Sequence, residues 1–167
     1  MAIHKIDGVD NVNHFPKKFV TLYTADTSIT AGDFVMIDPL DTTNGLGASV
    51  RQAESGYNAN IQEGLCIGVA VATTTAAGEI KVQVAGKYEN ANVATSVECG
   101  DRLVMTSTVG QAAEATTLAC QTNADALDRN VVAVALETGN TAATGTEPFS
   151  GTANKADVLI IDHGFFG

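Results

Sequence analysis

Apolar and polar residues alternate along short segments of the chain, which is the pattern of β-strands. Between residues 78 and 86 the apolar positions are Ile80, Val82 and Val84, and this predicts a strand with one face on the core and Glu79, Lys81 and Gln83 on the other. The run 65–72 has no charged position and predicts a strand buried on both faces. Shorter apolar runs predict further strands at 19–23, 34–37, 103–105, 131–136 and 158–161.

The remaining segments show neither a long helical period nor a long strand period. One helix is predicted, at residues 123–129, and it is too short to carry a fold. Residues 137–156 are rich in Thr, Gly, Ala and Asn and predict a mobile surface loop. Residues 1–18 predict an N-terminal arm before a domain at 19–167. The pattern therefore predicts a mainly β fold, a compact β-barrel or β-sandwich of short strands with at most one short helix.

A short repeat in the sequence predicts that the fold contains two similar parts. Residues 27–33 read TSITAGD and residues 95–101 read TSVECGD, and a predicted strand follows each. Glycine adopts the positive φ of a tight turn, and an adjacent aspartate accepts hydrogen bonds from turn N–H groups. A second similarity joins GVAVA at 68–72 to VAVAL at 132–136. The predicted turn-forming residues are Gly32, Asp33, Gly100 and Asp101.

The composition restricts the partners that the chain is expected to bind. Aromatic residues are 5% of the chain and Trp is absent, so the core is built from small side chains, which disfavours a deep ligand pocket. The formal net charge of −10 repels polyanions, so neither nucleic acid nor an anionic membrane is an expected partner. The arm differs from the acidic body, because Lys5, Lys17 and Lys18 outnumber its two acidic residues.

The cysteines and the chain start point to a protein made in a cytoplasm. Cys66, Cys99 and Cys120 form no C-x-x-C pair and are too widely spaced for a disulfide framework. The first residues contain no apolar stretch after a basic region, so no secretory signal is expected. The longest apolar run falls far short of the ~20 residues of a membrane helix. A soluble protein with reduced thiols is expected.

No spacing in the sequence indicates catalysis, and we expect no enzyme, no metal and no cofactor. His4, His14 and His163 lie in the terminal segments and match no metal or triad motif. Asp33 and Asp101 allow one enzymatic alternative, a small β-barrel hydrolase that uses a carboxylate for acid–base work, but their turns account for them structurally. Cys99 has no basic neighbour in sequence that would activate its thiol, and a buried small hydrophobe is expected there.

The N-terminal arm is the most distinctive candidate for binding. His14, Phe15, Lys17 and Lys18 combine an aromatic ring with positive charge, and they are the candidate contact residues. Such an arm becomes ordered on an acidic or apolar partner surface; the alternative is a solvated chain start without a partner. The tail, residues 162–167, ends in two aromatic residues that either pack on the body or contact a partner.

The order of motifs along residues 25–162 carries a family resemblance. An I-x-x-G-D turn and strand is followed by CIGVAVA and GEIKVQV, then by a second G-D turn and strand, by VAVALE and by a closing VLI strand. This order resembles that of bacteriophage capsid decoration (cement) proteins, which are small β-barrels. The chain departs from the family in its longer arm, in residues 40–64 and in the loop at 137–156.

The resemblance implies a structural virion protein that binds the outside of a phage capsid. Its partner would be the major capsid protein, and it would bridge neighbouring capsomers, often as a homotrimer, and stabilise the matured, DNA-filled head. It would be assembled in the host cytoplasm and located on the outer capsid surface. The alternative is a virion fibre or receptor-binding module in which residues 137–156 contact host glycans.

Overall fold

A computed structural model describes residues 16–38, 41, 49–54, 66–115, 131–139 and 154–162. These residues form nine β-strands and no helix. The predicted helix at 123–129 and residues 1–15 of the predicted arm lie outside the described residues, as do 140–153 of the predicted loop. The strands are β1 (Lys18–Thr24), β2 (Phe34–Ile37), β3 (Val50–Gln52), β4 (Cys66–Ala70), β5 (Gly78–Asn92), β6 (Arg102–Met105), β7 (Ala112–Glu114), β8 (Ala133–Ala135) and β9 (Lys155–Ile160).

The described strands form one antiparallel sheet that is not closed into a barrel. The order is β3-β2-β4-β5-β9-β8-β6-β7, and β1 pairs with β5. The mainly β prediction is confirmed. The predicted barrel is not closed, because two single parallel bridges, Tyr23 to Ser49 and Val93 to Ala112, stand where a barrel would have a continuous ladder. Strands β3 and β7 are each three residues long, which is too short for such a ladder.

Strand β5 divides the sheet into two parts. It has 15 residues, and its first half pairs with β1 and β4 while its second half pairs with β9. We call β1 to β4 with the first half of β5 unit 1, and the second half of β5 with β6 to β9 unit 2. One long strand therefore belongs to both units.

The two units have the same strand pairing. The pairs β1–β5, β2–β3, β2–β4 and β4–β5 of unit 1 correspond to β5–β9, β6–β7, β6–β8 and β8–β9 of unit 2. The register agrees too, since Val35 lies opposite Gln52 in unit 1 and Leu103 lies opposite Glu114 in unit 2. The repeat predicted from two short motifs is confirmed and extends over a whole unit.

The core consists of two clusters that share strand β2. Val35 packs into the cluster of unit 1, while Phe34 and Met36 on the opposite face of β2 pack into a cluster formed mostly by unit 2. This arrangement follows from the period of two in a strand, because both faces of β2 are apolar. Burying both faces fixes unit 1 against unit 2.

In strands β4 and β5 the burial of each side chain can be compared with the burial that the apolar and polar pattern predicted. All five residues of β4 are buried, as the unbroken apolar run predicted. Glu79 and Lys81 of β5 are exposed as predicted, but the prediction for Gln83 is wrong because this side chain is buried. Its amide donates to the carbonyl oxygens of Ala85 and Lys87, so burial leaves the amide N–H groups bonded.

Candidate docking site at the chain ends

The two G-D turns have nearly the same geometry. Gly32 has a φ of 95° and Gly100 a φ of 96°, both in the region that favours glycine. The N–H of Thr30 donates to Asp33 Oδ2 at 2.8 Å, and the N–H of Glu98 donates to Asp101 Oδ2 at 2.7 Å. Each aspartate therefore closes the turn that leads into the next strand.

Asp33 also joins the two units. The side chain is 2% exposed, and its carboxylate accepts hydrogen bonds from the amides of Gln52 at 2.7 Å and Asn92 at 3.1 Å. Gly110 lies against it, because a Cβ at this glycine would be 2.8 Å from the Asp33 carboxyl carbon. Asp101 is partly exposed, and these contacts show why only Asp33 is fully buried.

The two described cysteines differ in environment. Cys66 is buried, and this burial raises the pKa of its thiol to about 12. Cys99 was expected to be buried, and this expectation is wrong because the residue is exposed. The reason is its place in the second G-D turn, where residues 98–100 are all exposed; its sulfur lies 3.3 Å from the carbonyl oxygen of Leu136.

Both ends of the described chain meet at one point on β5. Lys18 at the start of β1 lies opposite Ala85, and Ile160 at the end of β9 lies opposite Gly86. The Lys18 ammonium consequently contacts the Asp162 carboxylate, with 2.6 Å between Nζ and Oδ2. The start of β1 and the end of β9 therefore lie side by side.

A groove of about 260 Å³ lies between these two ends. Its lining is mostly apolar, with the Lys18–Asp162 ion pair as the charged part: Pro16, Lys18, Ala85, Gly86, Leu159, Ile160, Ile161 and Asp162. Of the four predicted contact residues, Lys18 lines the groove, Lys17 is exposed beside it, and His14 and Phe15 lie outside the described residues. Sequence reasoning missed the part formed by β9, because no local pattern reveals that β1 and β9 end at neighbouring positions of β5.

An exposed aromatic residue follows directly after the groove lysine. Phe19 is 42% exposed, although it is among the larger apolar side chains of the protein. The ammonium nitrogen of Lys81 lies 4.4 Å from the centroid of its ring, which is a cation–π contact. Lys17, Lys18, Phe19 and Lys81 are all exposed on a protein of net charge −10 and lie at the start of β1 or on the strand paired with it; we call these four residues, together with the groove, the chain-end site.

The described residues were also searched for a metal site and for a membrane-spanning helix. They contain no group of three or more His, Cys, Asp or Glu side chains placed to hold a metal ion. No helix among them is long and apolar enough to cross a membrane.

Two comparisons of the sequence with known proteins found no relative. No protein-family model matches the chain, and no curated protein matches it in sequence.

Proposed function

We propose that the chain is a structural virion protein that binds the outside of a phage capsid and cements neighbouring capsomers. The order of motifs that resembles the decoration proteins supports this, together with a fold whose described part is all strand. The observation that carries the proposal is the chain-end site. It brings exposed positive charge, an exposed aromatic ring and an apolar groove to one place on an otherwise acidic protein.

The chemistry of the chain-end site suits a protein surface that is both acidic and apolar. Interfaces are enriched in aromatic and basic anchors that fill pockets on the partner, and Phe19 beside Lys18 offers such a pair. The acidic remainder repels DNA, while local positive charge steers the protein to an acidic patch. The partner in this proposal is the major capsid protein, and the protein binds it as a trimer.

Binding to an assembled shell stabilises that shell by mass action. A ligand present at a thousandfold excess over its Kd stabilises the form that it binds by about 4 kcal/mol per site. A capsid has many equivalent sites, so the stabilisation accumulates and opposes the outward pressure of packaged DNA. The glycan-binding alternative depends on residues 137–156, of which 140–153 lie outside the described residues, and no observed contact supports it.

A binding assay on expanded heads that lack the protein tests the proposal. Lys17→Glu reverses one charge of the chain-end site and is expected to weaken binding at least tenfold at low salt. Arg102→Glu is the matched control, since it reverses one exposed charge in unit 2 and leaves the site unchanged. Wild-type protein that stays in solution would contradict capsid binding, and equal binding of both variants would contradict the chain-end site.

A further inference from the structure

The bottom of the chain-end groove is formed by the middle of β5. Ala85 and Gly86 line it, and both are buried. Gly86 has a φ of 88°, which favours glycine, so this position adds no side chain to the groove. The buried amide of Gln83 donates to the carbonyl oxygens of Ala85 at 3.1 Å and Lys87 at 2.9 Å, which holds the backbone on both sides of Gly86. The groove is therefore built on a fixed backbone.

The size and lining of the groove suit one apolar side chain. Its volume of about 260 Å³ lies below the roughly 300 Å³ at which pockets for small molecules begin. Pro16, Leu159 and Ile161 line it together with the buried residues of β5, and a charged group placed against such a surface without a partner loses its hydration at a cost. An aliphatic or aromatic side chain of a partner protein is the group that fits.

The ion pair between Lys18 and Asp162 is open to solvent. Both residues line the groove, and their side chains are 47% and 37% exposed. An ion pair with this exposure contributes little to stability, because water and salt screen it and two side chains must be ordered to form it. Another carboxylate can therefore replace Asp162 on the Lys18 ammonium at small cost.

The charges near the groove favour a partner that carries a carboxylate. Lys17, Lys18 and Lys81 are exposed on a protein whose net charge is −10, so positive charge is concentrated at this site. Asp162 is the acidic residue among the described residues that line the groove. Because it already pairs with Lys18, it competes with any carboxylate that a partner brings.

We infer that Asp162 is an internal substitute for a carboxylate of the partner. On binding, an acidic and apolar segment of the major capsid protein places an apolar side chain in the groove, and a neighbouring Asp or Glu of that segment pairs with the Lys18 ammonium. Asp162 is displaced to solvent, so it lowers the affinity of the free protein for its partner. This inference rests on the proposed function, since it names the segment that the chain-end site recognises.

Titration of the purified full chain with short peptides tests the inference without heads. The probe is acetyl-Gly-Asp-Leu-Asp-Gly-amide, and two control peptides carry Asn for both Asp or Gly for Leu. The probe is expected to shift the backbone amide signals of Lys18, Gly86 and Ile161 in NMR spectra, and both controls should shift them far less. Asp162→Asn keeps the shape of the side chain and should lower the Kd of the probe about threefold at low salt. Absent shifts, or an unchanged Kd in Asp162→Asn, would overturn the inference.

A double-mutant cycle separates the displacement of Asp162 from a general change in charge. Glu114→Gln removes one exposed negative charge from unit 2 and should leave the Kd of the probe unchanged. In a Lys18→Gln background the probe should bind more weakly, and Asp162→Asn should give no further gain because the exchange requires the Lys18 ammonium. An equal gain with and without Lys18 would contradict the exchange.

The outcomes with heads and with peptides are distinguishable. A chain that binds expanded heads but not the probe would keep the proposed function and overturn this inference alone. A chain that binds the probe but not heads would contradict the capsid as the partner and keep the carboxylate exchange. Shifts of the same three signals on dilution of the protein alone would identify a second copy as the occupant and overturn the inference.

Discussion

The side-chain amide of Asn92 donates to the buried carboxylate of Asp33 at 3.1 Å, and this bond crosses the contact between the two units. Asp33 belongs to the turn before β2, and Asn92 is the last residue of β5. The equivalent carboxylate of unit 2, Asp101, has no such partner among the described residues. One of two aspartates from the same sequence motif therefore joins the two units, and the other is partly exposed.

Replacing each aspartate by alanine should separate these two roles. Asp33→Ala leaves the Thr30 N–H and the side-chain amides of Gln52 and Asn92 without their acceptor at a partly buried contact, so we expect a loss of about 3 kcal/mol in the free energy of unfolding. Asp101→Ala removes one turn bond and should cost about 1 kcal/mol. Urea denaturation of both variants measures the difference, and equal losses would contradict a structural role specific to Asp33.

Gly68 in β4 is predicted to tolerate no side chain. A Cβ at this position would run into the backbone carbonyl of Gln83 and would lie 3.0 Å from a methyl group of Val82. Gly68→Ala should therefore cost about 2 kcal/mol or more through overpacking. Gly78→Ala is the matched control in β5, where a Cβ meets nothing within 4 Å, and it should be neutral or slightly stabilising. Similar midpoints of thermal unfolding for the two variants would argue against this packing of β4 on β5.

The thiols should react according to their burial. In a Cys120→Ser background, Cys99 is expected to react with a thiol reagent in the native protein, while Cys66 should react only after unfolding because it is buried and its pKa is raised to about 12. Counting modified thiols by mass spectrometry before and after denaturation checks this. Two rapid modifications of the native chain would show that β4 is accessible.

The free energy of unfolding should fall in acid, partly because the Asp26 carboxylate becomes protonated. Burial alone raises the pKa of this carboxyl, but hydrogen bonds from Ser28 and Gln52 and the charge of Arg51 outweigh burial and lower the pKa below its ordinary value of 3.8. The stabilisation is then present above pH 3.8 and is lost as the pH falls through the lower pKa of the folded state. Asp26→Asn should flatten the acid side of the stability profile, and a profile that keeps its slope would contradict this role.

Local pattern predicted seven of the nine described strands, because the period of two and the glycine turns are properties of neighbouring residues; it missed the three-residue strands β3 and β7 and the extension of β5 beyond residue 86. It predicted the repeat from two motifs, since G-D turns have the same local requirements wherever they occur. It was wrong for Gln83 and Cys99. The period of two did not reveal that the Gln83 amide is buried and donates to the carbonyl oxygens of Ala85 and Lys87, and Cys99 is exposed because it lies within the second G-D turn. The groove was not predictable from sequence, because it exists only where Lys18 and Ile160 lie opposite adjacent residues of β5.

Cryo-electron microscopy of expanded heads incubated with the purified protein shows directly whether the protein decorates a capsid. We expect added density at regular positions on the outer lattice, with the start of β1 and the end of β9 turned toward the shell. Heads without added density, with the protein left in solution, would contradict a decoration role.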